Sequence, residues 1–134
     1  MTAGHATAPS LDRIEALARE AMASIPQELR ARVEGVVFRI EEFPDQETCR
    51  EMGLQSPFDI LGLYRGIPFG EKGVSQIAQD VDMILLYRRP LLDYWCESGE
   101  TLGHLIRHVL IHEIGHHFGF TDTDMARMEA DADR

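Results

Sequence analysis

The run from His112 to Asp122, His-Glu-Ile-Gly-His-His-Phe-Gly-Phe-Thr-Asp, constrains this chain more than any other part of it. On an α-helix, His112 and His116 stand about 40° apart around the axis and roughly 6 Å apart along it. Both imidazoles can then reach one metal ion at about 2.0–2.1 Å. Glu113 is rotated about 100° from His112, so it projects beside such a site. A carboxylate held there can take a proton from a water on the ion, which is the general-base role. Gly119 tolerates the left-handed backbone that ends a helix and turns the chain. A turn there can bring Asp122 back to the same ion as a third ligand. Three protein ligands leave one position for water, the arrangement of a catalytic rather than a structural zinc site.

Each of these residues also has a plainer reading. An Asp just before a helix is an ordinary N-cap, which competes with the ligand role of Asp122. Glu129 is a rival third ligand, ranked lower because the segment from Thr121 to Ala132 reads as a short, exposed, acidic helix. His104, His108, His112 and His116 recur at every fourth position. The pairs His104/His108 and His108/His112 therefore have ligand spacing too, but neither is followed by a Glu and a Gly turn, so His104 and His108 read as solvated or supporting residues. His117 points about 100° away from His116 and reads as a packing or hydrogen-bonding residue. On a helical wheel Leu102, Leu105, Ile106 and Val109 share the arc of His112, Glu113 and His116. Polar groups on such a face are costly to bury unless a partner such as a metal compensates them.

The rest of the chain predicts an α+β domain, a small sheet with helices packed on one side. Ser10 caps a helix with apolar positions Leu11, Ile14, Leu17, Ala18, Ala21, Met22 and Ile25, which is helical spacing. Pro26 interrupts it, and Ser24 with Gln27 has capping-box spacing for a second short helix. Val36, Phe38 and Ile40 alternate with Val37, Arg39 and Glu41, as in a strand with one buried face. A helix between Pro44 and Ser56 ends at Gly53, and Leu61 to Tyr64 forms a second short strand. Gly66 to Asp80 reads as a loop. The apolar run Met83 to Tyr87 predicts a buried strand. Pro90 suits a helix start. Ser98 or Thr101 caps the long helix from about Gly99 to Phe118. Tyr94, Trp95 and Phe118 are core candidates. Tyr64 and Tyr87 could stabilise an oxyanion, although strand tyrosines are usually structural. The strand at Leu61–Arg65 could receive an extended peptide at a cleft edge.

Composition narrows the function classes. The 134 residues suit one domain, with residues 1–9 as a frayed tail and 10–134 as the folded unit. The net charge of −10 opposes polyanion binding, which rests on Lys and Arg neutralising phosphates. Cys49 and Cys96 form no CxxC pair and read as free thiols in a reducing compartment. No apolar window spans a membrane, and the N-terminus lacks the apolar centre of a signal peptide. The expectation is a cytoplasmic protein without nucleic-acid or membrane partners.

HExxH on a helix is the zincin signature. Its extension here, HExxHxxGxxD, resembles the metzincin pattern with Asp in place of the third His. The chain from roughly Leu11 to Glu129 is similar to a family of small bacterial zincin-like proteins, the minimal metallopeptidase-like domains. In that family a segment like Leu61-Gly62-Leu63-Tyr64-Arg65-Gly66-Ile67-Pro68 and one like Ile84-Leu85-Leu86-Tyr87-Arg88-Arg89-Pro90 precede a helix ending in His-Glu-x-x-His-His-Phe-Gly. The resemblance implies a compact zincin fold, Zn2+ held by His112, His116 and Asp122, and a peptidase acting on peptides or proteins with Glu113 as base. Two departures stand out. Little sequence follows Asp122 to build the far wall of a cleft, and Met125 and Met128 sit in a helical pattern rather than the tight turn of the metzincin methionine. A zinc-holding binding or regulatory module with little turnover is therefore the second reading. A metal-dependent ribonuclease is a third, which the negative charge and Glu113 oppose.

Overall fold

The computed structural model describes residues 7–66 and 82–133, so the expected loop after Gly66 lies outside the described residues. Helix α1 (Leu11–Ser24) starts where expected, with Ser10 Oγ accepting the Arg13 amide at 3.1 Å. It buries Ile14, Ala18 and Ala21. Pro26 separates it from the single turn α2 (Gln27–Arg30). Ser24 does not cap that turn: its hydroxyl donates back to the Ala21 carbonyl at 2.8 Å, and Pro26 occupies the N-cap. Strand β1 (Val37–Glu41) buries Phe38 and exposes Val37, as the alternation predicts. Helix α3 (Gln46–Glu51) follows, and Gly53 turns the chain with φ of +65°.

Strands β2 (Gly62–Arg65) and β3 (Met83–Tyr87) complete a three-stranded sheet of order β1-β3-β2. β3 runs parallel to β1 and antiparallel to β2. Central β3 buries Ile84, Leu85, Leu86 and Tyr87, which explains its continuous apolar run: a strand covered on both faces has no reason to alternate. β2 is an edge strand.

Helix α4 (Arg88–Ser98) leaves β3 directly and ends at Gly99, whose φ is +76°. That left-handed residue separates α4 from the long helix α5 (Leu102–His117), which therefore begins after Gly99, not at it. Thr101 caps it by accepting the His104 amide at 3.1 Å. Tyr94 is exposed, contrary to its core assignment, while Trp95 is half-buried and donates to the Glu100 carbonyl at 2.9 Å. α5 is the axis of the molecule. Leu105, Ile106, Leu110, Ile111 and Ile114 are essentially inaccessible, and each such side chain contributes about 1.5–3 kcal/mol of burial. α5 packs on α1 and β2, and its C-terminal part is covered by α6 (Asp122–Ala132).

Among the described residues, no helix is long and apolar enough to cross a membrane, and both cysteines are free.

Candidate metal centre

The end of α5 sets the geometry. The Phe118 amide bonds the Ile114 carbonyl, and the Phe120 amide reaches back to Gly115 at 2.9 Å across Gly119, whose φ is +81°. This is a Schellman-type stop, in which a glycine accepts the left-handed conformation that other residues resist. Arg32 lies over the rings of Phe118 and Phe120 and ties this bend to the end of α2. The chain then reverses, and α6 runs back along α5.

α6 is not the exposed helix that its acidic composition predicts. Met125 and Met128 are fully buried. Met125 packs so closely on Gly115 that a Cβ there would lie 2.8 Å from its Cγ and would also run into its sulfur. Gly115 thus lets α6 approach the α5 backbone beside His116. The two methionines are helical, as their spacing indicates. Thr121, not Asp122, is the N-cap: its hydroxyl accepts the Asp124 amide, and the Asp124 carboxylate accepts the Thr121 amide, both at 3.0 Å. Asp122 is left with its carboxylate 97% exposed and Oδ1 3.9 Å from His116 Nε2.

The antiparallel course of α6 places a row of carboxylates opposite the row of imidazoles on α5. Asp122 faces His116. Glu129 places Oε2 2.8 Å from His112 Nε2 and Oε1 2.5 Å from His108 Nδ1. Asp133 stands 3.4 Å from His104 and pairs with Arg107. His104 also meets Glu100 at 2.5 Å. The histidines do not share the buried arc with Leu105 and Val109. They line its margin, with His112 the most covered of the four and His116 the most open.

On the opposite flank of α5, Glu113 turns toward β2, where the Tyr64 backbone amide donates to its carboxylate. Burial pushes the Glu113 carboxyl above its ordinary value, while His116, the Tyr64 amide and His112 pull it back. The Tyr64 ring stacks on His117 with centroids 4.1 Å apart, and its hydroxyl donates to Asp82 at 2.6 Å. Gly66 lies against His117, where a Cβ would fall 2.6 Å from the imidazole. Tyr64 and Tyr87 are buried in the sheet, in keeping with structural roles.

Zinc can be tested against these donors. The rings of His112 and His116 lie edge to face with centroids 5.8 Å apart. Two ligands of one tetrahedral zinc stand about 3.3–3.4 Å apart. The 3.9 Å between His116 and Asp122 is within about half an ångström of that, which an exposed carboxylate covers by rotation. Two imidazoles and a carboxylate suit zinc chemically, but among the described residues the three donors that lie within 4.8 Å of one another are His108, His112 and Glu129, not His112, His116 and Asp122.

The zincin-like metallopeptidase family matches residues 33–132, from the approach to β1 through α6. The chain belongs to this family. The match spans the sheet, the histidine helix and α6, so the α+β architecture described above is that of a small zincin-like domain. The comparison with curated proteins gives no match.

Spacing alone singled out His112, Glu113 and His116. It ranked Glu129 low and set His108 aside. A signal for both was present: Asp122, Met125, Met128, Glu129 and Ala132 recur on one face of a helix, and His108 continues the fourth-residue repeat. The Tyr64 amide left no trace in the sequence, because any residue but proline offers one.

Proposed function

We propose that this chain is a zinc-dependent peptidase in which His112, His116 and Asp122 hold the ion and Glu113 is the general base. The observation that carries the reading is the setting of Glu113. Its carboxylate is held by a backbone amide of the edge strand and lies within electrostatic reach of both motif imidazoles. A bound zinc would supply Lewis acidity, polarising a carbonyl and bringing the pKa of a water near 7.

The protein's own groups do the rest. Glu113 takes the proton from the attacking water and delivers it to the leaving amine, and burial raises its basicity above that of an ordinary carboxylate. Among the described residues, no strand pairs with the outer edge of β2. Because Leu61 and Tyr87 form a hydrogen-bonded pair, the alternation of an antiparallel ladder turns the backbone of Gly62 and the carbonyl of Tyr64 outward, the Tyr64 amide being taken by Glu113. An extended peptide beside β2 would meet those groups, with its scissile bond near Glu113.

Glu113→Gln tests the assignment, since it keeps the shape and removes the base. Cleavage of a peptide library should fall by about 10²–10⁴-fold, with zinc content by elemental analysis unchanged. Cleavage at the parent rate in that variant would refute the mechanism. The second reading, a zinc-holding binding module with little turnover, draws support from Glu129, whose carboxylate engages His112 Nε2 at 2.8 Å. Glu113-dependent hydrolysis of the library would reject it.

A further inference from the structure

The four-residue repeat of histidines on α5 continues N-terminal to the motif, and α6 supplies a carboxylate where it does. We infer that His108, His112 and Glu129 form a second seat for a divalent transition-metal ion, one helical turn before the motif, and that the two seats exclude one another. The exclusion rests on the reading of His112, His116 and Asp122 given above, because both seats then draw on the imidazole of His112.

The donors are already gathered. One ligand atom from each of His108, His112 and Glu129 lies within 4.8 Å of the other two. The imidazoles of His108 and His112 are 4.2 Å apart, tilted by 30°, and each meets a different oxygen of the same carboxylate. Without an ion, each of those contacts needs a proton between nitrogen and oxygen. One divalent ion can stand in for both, drawing two neutral imidazoles and a carboxylate into a single shell. Two nitrogens and one oxygen are the donors that zinc, cobalt and nickel share. The side chains are 45%, 29% and 24% exposed, so an ion can enter from solvent without unfolding.

The two seats differ in what surrounds them. The motif seat takes a carboxylate from the first turn of α6 and has Glu113 at its side. The upstream seat takes its carboxylate from the last turn of α6, and Glu113 lies beyond His112, toward β2. An ion there would bridge α5 and α6 while withdrawing His112 from the motif, so the upstream seat stores metal in a form unsuited to hydrolysis.

Calorimetric titration of the full chain with Zn2+, and of the visible spectrum with Co2+, tests this. The parent protein should bind one equivalent. His116→Ala should still bind one, through the upstream seat, and its cobalt spectrum should differ from the parent's. Adding His108→Ala to His116→Ala should weaken binding by at least about tenfold, and Glu129→Gln in place of His108→Ala should do the same. Circular dichroism before titration confirms that each variant is folded. The glutamine variant keeps the shape of Glu129, so it tests the seat even if the alanine variant unfolds. If His116→Ala abolishes binding and His108→Ala leaves it intact, the motif seat stands and the upstream seat is wrong. If His116→Ala binds as the parent does, with the same spectrum, while His108→Ala loses the ion, the upstream seat stands and the motif reading fails. Two equivalents in the parent would overturn the mutual exclusion.

Discussion

Helix α5 meets β2 on one flank and α6 on the other, and the two contacts are built differently. Against β2 the fit is made at the backbone. At Gly62 a Cβ would come within 3.0 Å of the Leu85 carbonyl and of Val109, at Gly66 it would strike His117, and the strand itself donates an amide to Glu113. Against α6 the fit is made by side chains: two buried methionines hold the helices together, and a row of exposed or half-exposed carboxylates faces a row of imidazoles. The strand flank holds a base in one place. The helix flank offers carboxylates spread from the first turn of α6 to beyond its last, each opposite a different imidazole. A backbone contact tolerates few alternatives, because it depends on glycine and on register, whereas long acidic side chains re-aim at small cost.

The comparison can be broken most severely at Met125. Met125→Ala should lower unfolding free energy by about 2–5 kcal/mol, measured by urea unfolding, because its sulfur fills the space that Gly115 leaves open. A loss near zero would mean that α6 is not held by this contact and that its carboxylates are not positioned by packing.

On the strand flank, Gly66→Ala should cost about 1 kcal/mol, at the low end of overpacking, since the new methyl falls 2.6 Å from the ring of His117, which is exposed and can turn aside only by giving up its stacking on Tyr64. Combining it with His117→Ala removes the obstacle, so the double variant should recover most of that loss in a mutant cycle. Additive losses would show that the close approach is not the cause.

An alkaline titration sharpens the same flank. Burial raises the hydroxyl of Tyr87 to about 12 and raises that of Tyr64 as well, with the bond to Asp82 adding to the second. A folded value above the ordinary one of about 10 gives stability that is fully present below pH of about 10 and is lost as pH rises through about 12. Phenolate absorbance from these two residues should therefore appear together with loss of circular dichroism, not before it.

An effect no larger is expected at the bend. Thr121→Ala should cost about 1 kcal/mol in the same urea assay, because it removes one half of the capping box with Asp124. Thr121→Asp should restore most of it, as Asp is an equally good N-cap.

The elements that were legible are the ones specified by neighbours in the chain. The alternation at Val36–Ile40, the apolar run at Met83–Tyr87, the Ser10 cap and the Gly53 and Gly119 stops all act within a few residues, and all appear where expected. The start of α5 was misplaced because Gly99 serves as the left-handed end of α4, a role invisible until α4 is known to run to Ser98. The exposure of α6 was misjudged for a similar reason. Its composition is acidic, yet one face carries Met125 and Met128, and only the contact with Gly115 shows where that face goes.

That His112 and His116 share one side of a helix with Glu113 beside them follows from helical pitch, a local property of the backbone. The stop at Gly119 is equally local. Which carboxylates face the imidazoles, and which amide meets Glu113, depends on packing instead. Those contacts join residues far apart in the chain, and their partners are chosen by how α6 and β2 pack on α5, which no local spacing records.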